Sequence, residues 1–194
     1  LKENPSNKRI EIGDSVIVEK MKSPKTKEEG LQLMMNTYQS RLYWHLRRLV
    51  VHHDDAQDLL QDTFIKAYQN FDKFKGNSKI YTWLYRIATN EALQFLNKAK
   101  KMQKSDEGTE YYLQNAVASN AKFGAEKIEI LLQEAIQSLP EKQKMVFTIR
   151  YYEEMPYEEI AEILQMSIGT LKTNYHYAKE KITEYIREHS EDLN

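Results

Sequence analysis

The chain has 194 residues, 41% hydrophobic and 29% charged, enough to build a core in one large or two small domains. It has no Cys, which excludes disulfides and thiolate metal sites and fits a reducing compartment. Its net charge of −1 hides a basic middle: residues 41–104 carry 12 basic and 6 acidic side chains, residues 105–134 carry 2 and 6, and residues 135–194 carry 7 and 11.

No apolar run approaches the ~18 residues needed to span a membrane. The start, LKENPSNKRIEIGDS, lacks the apolar centre of a signal peptide, so a cytoplasmic protein is expected. With four Pro, six Gly and no sustained strand alternation, the whole chain reads as helical. Residues 1–23 read as a polar, loosely held extension with a short helix around Ser15–Met21. A long helix is predicted from about Lys27 to Val51, burying Leu31, Met34, Met35, Tyr38, Leu42, Leu46 and Leu49. The pattern breaks at His52-His53-Asp54-Asp55, where an Asp can cap a helix over Ala56–Asn70 that buries Leu59, Leu60, Phe64 and Ala67. A loop with Gly76 and Asn77 leads to a helix from about Ile80 to Lys101.

Residues 105–125 lose periodicity and mix acidic, small and amide residues, which predicts a linker in which Tyr111, Tyr112 and Leu113 can dock transiently. Two compact all-α domains follow, over 24–104 and 126–190, with no internal repeat. The second opens with helices near Glu126–Ser138 and Glu141–Tyr151. It continues as two short helices hinged at Met166–Gly169. The apolar stripes are Ile160, Ala161 and Leu164 on the first, and Leu171, Tyr175, Ala178 and Ile182 on the second. Pro156 suits a first helical position, Ser167 can cap the second helix, and Gly169 relaxes the turn. Such a pair can place a helix in the DNA major groove, or can be an ordinary hairpin inside a core.

Three segments carry chemistry. Asp55, Asp58 and Asp62 fall on one face of the helix over Ala56–Asn70, beside Gln61 and Ile65. The strip is either a dock for a basic partner helix or a solvated face. In the segment around Phe71–Leu96, Lys73, Lys75, Lys79 and Arg86 alternate with Phe71, Phe74, Tyr81, Trp83 and Tyr85. Rings that stack on bases and cations that follow phosphates are what single-stranded nucleic acid needs, although some of Phe74, Trp83 and Ile87 must serve the core. Asn77, Ser78, Thr82 and Asn90 add hydrogen-bonding groups, and Lys98, Lys100, Lys101 and Lys104 a basic tail. The adjacent His52 and His53 invite a metal, but no HxxxH or HExxH pattern supports them. There is no Walker loop, GxGxxG or GxSxG. Neither enzymatic activity, a catalytic residue, a metal, a cofactor nor a small-molecule substrate is expected.

Together these segments resemble an RNA polymerase sigma factor of the extracytoplasmic function (ECF) group of the sigma-70 family. DDAQDLLQDTFIKAY followed by FDKFKGNSKIYTWLYRIATNEAL is similar to sigma region 2, and SLPEKQKMVFTIRYYEEMPYEEIAEILQMSIGTLKTNYHYAKEKI to region 4. The likeness covers roughly residues 28–104 and 126–187, in order and with a short linker between.

The resemblance implies a promoter-selecting factor that works only with core RNA polymerase and catalyses no bond chemistry. Asp58, Gln61, Asp62 and Ile65 would dock the clamp helices of the polymerase β′ subunit, and the second domain would meet the β flap. Phe74, Lys75, Asn77, Ser78, Lys79, Trp83, Arg86 and Asn90 would bind the −10 element, with one base extruded into the Phe74–Lys79 loop. Thr170, Lys172, Thr173, Asn174, His176, Tyr177 and Lys179 would read the −35 duplex. The linker would lie along the polymerase near the RNA path. A membrane-associated or soluble anti-sigma factor is the further partner implied.

The chain also departs from the family pattern. Asn174 and Tyr177 stand where many relatives carry arginines after the motif that reads GTLK here, so −35 readout is expected to lean on phosphates, DNA shape, Thr173 and His176. Gln94 stands where an Asp is common, the polar extension is longer than in many relatives, and a start on Leu1 suggests processing. Two rivals make different demands. An autonomous helix-turn-helix regulator would bind duplex tightly without polymerase, and a hydrolase using His52 and His53 would hold stoichiometric metal.

Overall fold

A computed structural model describes residues 5–50, 52–103 and 127–189, and the side chains from residue 13 to 99 (except 51) and from 128 to 189. Among the described residues there are eight α-helices and no strand. They are α1 (Pro5–Lys22), α2 (Lys27–Leu49), α3 (His53–Asn70), α4 (Ile80–Gln103), α5 (Lys127–Ser138), α6 (Glu141–Tyr152), α7 (Tyr157–Leu164) and α8 (Ile168–His189), with a 3₁₀ turn at Phe71–Lys73. The expected linker, with Tyr111, Tyr112 and Leu113, lies outside the described residues, as does Lys104.

The N-terminal extension differs from expectation. Rather than a short, loose helix, α1 packs along α2 with Ile17 and Met21 buried. Gly30 permits the close approach, because a Cβ there would stand 2.8 Å from the backbone nitrogen of Met21. Thr26 Oγ1 donates to the Lys20 carbonyl across the turn at 3.0 Å, and Tyr38 donates its hydroxyl to Asp14. Burial first, then the neighbouring Asp14 carboxylate, raises the Tyr38 phenol so that it keeps the proton it donates. Among the described side chains of α1, Ser15, Glu19 and Lys22 are exposed while Ile17 and Met21 are buried, so this part of the helix has one outer and one inner side.

Helices α2, α3 and α4 form the first bundle, with Met34, Tyr38, Leu42, Leu46, Leu49, Leu59, Phe64, Ala67, Leu84 and Ala88 inside. At its centre His45 is fully buried. Its Nε2 pairs with Thr89 Oγ1 at 2.9 Å, and its ring lies 4.8 Å from that of Tyr85. Desolvation, reinforced by the Arg48 charge, pushes His45 down to about 3, so the ring is neutral at physiological pH.

The C-terminal helices pack around α8, which buries Leu171, Ala178 and Ile182 against α5, α6 and α7. The turn between α7 and α8 is sharper than the sequence indicates. The left-handed residue is Gln165 at φ 52°, whereas Gly169 already lies inside α8. Ser167 caps α8 as expected, its Oγ accepting the Thr170 N–H at 3.1 Å. Pro156 is the residue before α7 rather than its first, and α8 is long, at 22 residues.

The two helical groups touch. Helix α7 packs on α4 and α6 on α2, and Met145, Val146, Ile149, Met155, Ile160, Ile163 and Leu171 join the same buried cluster as the α2–α4 core.

Candidate nucleic-acid interface

On α3, Asp58, Gln61, Asp62 and Ile65 recur at steps of three and four residues, so they share one face. All four are exposed, Ile65 at 45%. Leu59, Thr63, Phe64 and Ala67 on the other side are buried, which fixes the strip outward. Asp54 and Asp55 fill the first turn of α3, where negative charge complements the helix dipole. Burial raises Asp55 above the usual carboxylate range, against the opposing pull of His52.

In the second segment Phe74 and Trp83 are core residues, 8% and 6% exposed. With Phe71 they form a three-ring cluster whose centroids lie 5.3 to 5.8 Å apart. In this conformation neither ring is open to a base. They act from beneath, holding up the loop that carries exposed Lys75, Asn77 and Lys79 and half-buried Ser78. Gly76 sits at φ 74° at the crest of that loop, a conformation that side chains with a Cβ rarely adopt. Asn90 is exposed on α4 and Arg86 half-buried one turn earlier. Lys79 is not free: its Nζ lies 3.4 Å from Glu159 of α7 and 5.5 Å from the Tyr81 ring. Lys98 is exposed, while the side chains of Lys100 and Lys101 lie outside the described ones.

The α8 face is open. Thr170, Lys172, Thr173, His176, Tyr177 and Lys179 are exposed and Asn174 is half-buried. Two polar groups already donate within the helix: Thr173 Oγ1 to the Gly169 carbonyl at 3.0 Å and Asn174 Nδ2 to the Thr170 carbonyl at 2.8 Å. Lys172 leans over the Tyr157 ring and Lys179 over Tyr175, and His176 Nε2 lies 3.3 Å from Glu180.

Sequence reasoning missed the polar cluster around Glu153. The carboxylate, 6% exposed, lies 3.5 Å from Arg41 Nη2 and 3.3 Å from Arg48 Nη1, and accepts the Tyr85 hydroxyl at 2.7 Å. Burial, then the Glu153 charge, raises the Tyr85 phenol and keeps it a donor. Beside it a groove of about 1090 Å³ opens between α2–α3 and α5–α6, where Trp44 and Tyr151 are half exposed. His53 Nδ1 pairs with the Tyr43 hydroxyl at 2.7 Å, and among the described residues no three His, Asp or Glu side chains are placed to hold a metal. No described helix is long and apolar enough to cross a membrane.

Comparison with known proteins identifies both halves. Residues 34–102 match the family "Sigma-70 region 2", and residues 129–182 match "Sigma-70, region 4". The chain is 31% identical over 188 residues to the ECF RNA polymerase sigma-E factor of Haemophilus influenzae, covering 91% of this chain and 97% of that protein. It is 32% identical over 164 residues to the ECF sigma factor SigW of Bacillus subtilis, covering 80% and 88%. Among solved structures, the fold is similar to CnrH in complex with the cytosolic domain of CnrY, with TM-score 0.68, 16% identity and 91% and 98% of the two chains covered. It is also similar to the sigma factor RpoE bound to the anti-sigma factor NepR from Bartonella quintana, with TM-score 0.61, 23% identity and 80% and 96% covered. Two region families in the order the motifs require, joined to whole-length likeness at this identity, place the chain in the ECF group of sigma-70-family RNA polymerase sigma factors, the proteins that confer promoter-specific transcription initiation.

Proposed function

We propose a division of labour among three faces of this sigma factor. The observation that carries it is the outward display of Asp58, Gln61, Asp62 and Ile65 on a helix whose opposite side is locked in the core. That strip docks the clamp helices of the polymerase β′ subunit, with Ile65 as apolar anchor and the two carboxylates as charge partners. Lys75, Asn77, Ser78 and Lys79 on the loop and Arg86 and Asn90 on α4 engage the −10 strand, with Phe74 and Trp83 as their support. Extruding a base costs a few kcal/mol of unstacking, which contacts to the exposed strand offset. Thr170, Lys172, Thr173, Asn174, His176, Tyr177 and Lys179 of α8 read the −35 duplex, and the domain that carries them meets the β flap.

On this reading, residues 24–104 and 126–190 are the two working domains, 1–23 the extension and 105–125 the linker, and the protein acts in the cytoplasm. The solved relatives CnrH and RpoE are held by CnrY and the anti-sigma factor NepR. A protein of that kind restrains this chain too, and the groove with Trp44 and Tyr151 is an apolar surface for it.

Transcription in vitro with core polymerase, with and without the chain, tests the whole assignment across a promoter library. No gain in promoter-dependent initiation would sink it. Asp62→Lys is expected to lose core binding first, and unchanged affinity for core would remove the docking role. Asn90→Ala is expected to weaken open-complex formation more than duplex binding, and equal losses would contradict its place on the melted strand.

A further inference from the structure

We infer that α1 forms the second wall of the pocket that takes the extruded −10 base, and that Glu19 on it makes the pocket favour a base with an exocyclic amine. The inference rests on the assignment of the Phe74–Lys79 loop to the −10 strand. It adds to that loop a helix that precedes the matched region 2 segment, residues 34–102.

A cavity of about 560 Å³ opens between α1 and the loop, within the range of about 300–1,000 Å³ that small-molecule sites occupy. Ser15, Val18, Glu19 and Lys22 line it at steps of three and four residues, one face of α1. Gly76, Ser78 and Lys79 line it from the loop, with buried Phe74 and Ile80 at its base. At Gly76 a Cβ would meet nothing within 4 Å, so the loop backbone borders open space there.

Both walls are fixed by packing that needs no DNA. Ile17 and Met21 bury the other side of α1 along α2, Gly30 admits the close approach, and Tyr38 donates its hydroxyl to Asp14 at the cavity edge. The loop stands on the Phe71, Phe74 and Trp83 rings. Two walls supported independently keep the spacing that lets a flipped base be read along its edge.

The charges sort what enters. Asp14 and Glu19 line the cavity with negative charge, which repels a phosphate and favours the base end of a nucleotide. Lys22 on α1 and Lys79 on the loop are the cations for flanking phosphates, contacts that position a strand without reading it. Glu19 supplies the reading. An ionised carboxylate only accepts hydrogen bonds, so it pairs with the amine of cytosine or adenine but meets the O4 carbonyl of thymine lone pair to lone pair. The hydroxyls of Ser15 and Ser78 donate or accept as required, which leaves the discrimination to Glu19.

The test uses the full chain assembled with core polymerase and a ten-nucleotide strand that is abasic except at one central position. That position carries thymine, 5-methylcytosine or adenine; the first two differ only where a carbonyl replaces an amine and the ring nitrogen beside it gains a proton. Fluorescence anisotropy should show the 5-methylcytosine and adenine strands bound about tenfold more tightly than thymine, the worth of one hydrogen bond to a charged group. Glu19→Gln, whose amide donates as well as accepts, should bring that ratio below about threefold. Lys22→Ala should weaken all three strands alike and lower the slope of log affinity against log salt by about 0.7. Both side chains are exposed, so neither replacement disturbs the core. A ratio near one in wild type, or one unchanged in Glu19→Gln, overturns the α1 wall; if Lys75→Ala still weakens every strand, the loop assignment stands. Unchanged affinities in Glu19→Gln, Lys22→Ala, Lys75→Ala and Asn77→Ala overturn the wall together with the loop assignment beneath it.

Discussion

The α8 face and the α4 loop face are built on opposite plans. On α8 the side chains proposed to read duplex stand in solvent, and the helix is held from behind by Leu171, Ala178 and Ile182. On the α4 side the most conspicuous candidates, Phe74 and Trp83, are buried, and the cation at the loop's end is paired with Glu159. Duplex DNA can be met by a rigid, exposed helix, because the duplex presents its groove ready made. A melted strand needs a supported loop and a surface dry enough to hold an unstacked base. Exposed residues on one face should therefore affect binding with little change in stability, and buried ones on the other should affect both.

The largest expected effect breaks the comparison if it fails. Trp83→Ala removes the ring that contacts both Phe71 and Phe74, and should cost about 3–5 kcal/mol of unfolding free energy, as large aromatic truncations do. The loop proposed to bind the −10 strand should lose its support at the same time. Tyr177→Ala, at a side chain 50% exposed, should stay within about 0.5 kcal/mol of wild type while weakening −35 binding. Denaturant unfolding of the two variants measures this. A stable Trp83→Ala protein that has lost strand binding would make Trp83 a stacking platform after all.

A pH experiment sharpens the same contrast, because His45 belongs to the α2–α4 bundle. Folded His45 sits at about 3 against an ordinary 6.5, so the unfolded chain binds the extra proton. Stability is fully present above pH 6.5 and is lost as pH falls from there toward 3. At pH 5 the loss is about 2 kcal/mol. Thermal melting of wild type should fall across that window, and His45→Gln should flatten the slope. A wild-type curve parallel to the variant's would show that His45 is not held neutral.

Much of this was legible in the residues. Apolar spacing placed α2, α3 and α4 to within three residues at each end, because long helices with one buried stripe repeat their signal over many turns. The acidic strip on α3 and the polar face of α8 were legible for the same reason. Pairwise closeness was not. Glu153 and Arg48 are 105 positions apart, and no local pattern announces that they meet. Nor does aromatic richness separate rings that touch a ligand from rings that make a core, since both demand the same residues. Gly169 misled because glycine is the usual left-handed residue, whereas here the chain turns at Gln165.

A smaller effect tests the open face through salt. Lys172 and Lys179 each rest on a tyrosine ring of the same domain, an arrangement that keeps the ammonium near the surface. If both meet phosphates, Lys172→Ala and Lys179→Ala should each reduce the slope of log affinity against log salt by about 1 for a −35 duplex, whatever its sequence. An unchanged slope would take that lysine off the interface.

The smallest effect concerns Asn174. One N–H of its amide already donates to the Thr170 carbonyl at 2.8 Å, which ties the side chain to its own helix and leaves the other N–H and the oxygen for a base edge. A bidentate Asn–adenine contact uses the oxygen and one N–H together, and wherever the tied side chain must turn to reach the base edge, the gain from the new contact is offset by the loss of the helix bond. Asn174→Ala should accordingly weaken −35 binding by no more than about 0.5–1.5 kcal/mol, the net worth of one neutral hydrogen bond. Asn174→Arg has no such internal tie and should shift preference toward a guanine at one position, by about 1–3 kcal/mol. Binding of the two variants to a set of duplexes differing at single −35 positions measures both effects. A large loss for Asn174→Ala confined to one base pair would mean that the free N–H and oxygen together make a full base contact, and that the tie to the helix carbonyl preforms Asn174 for readout rather than restraining it.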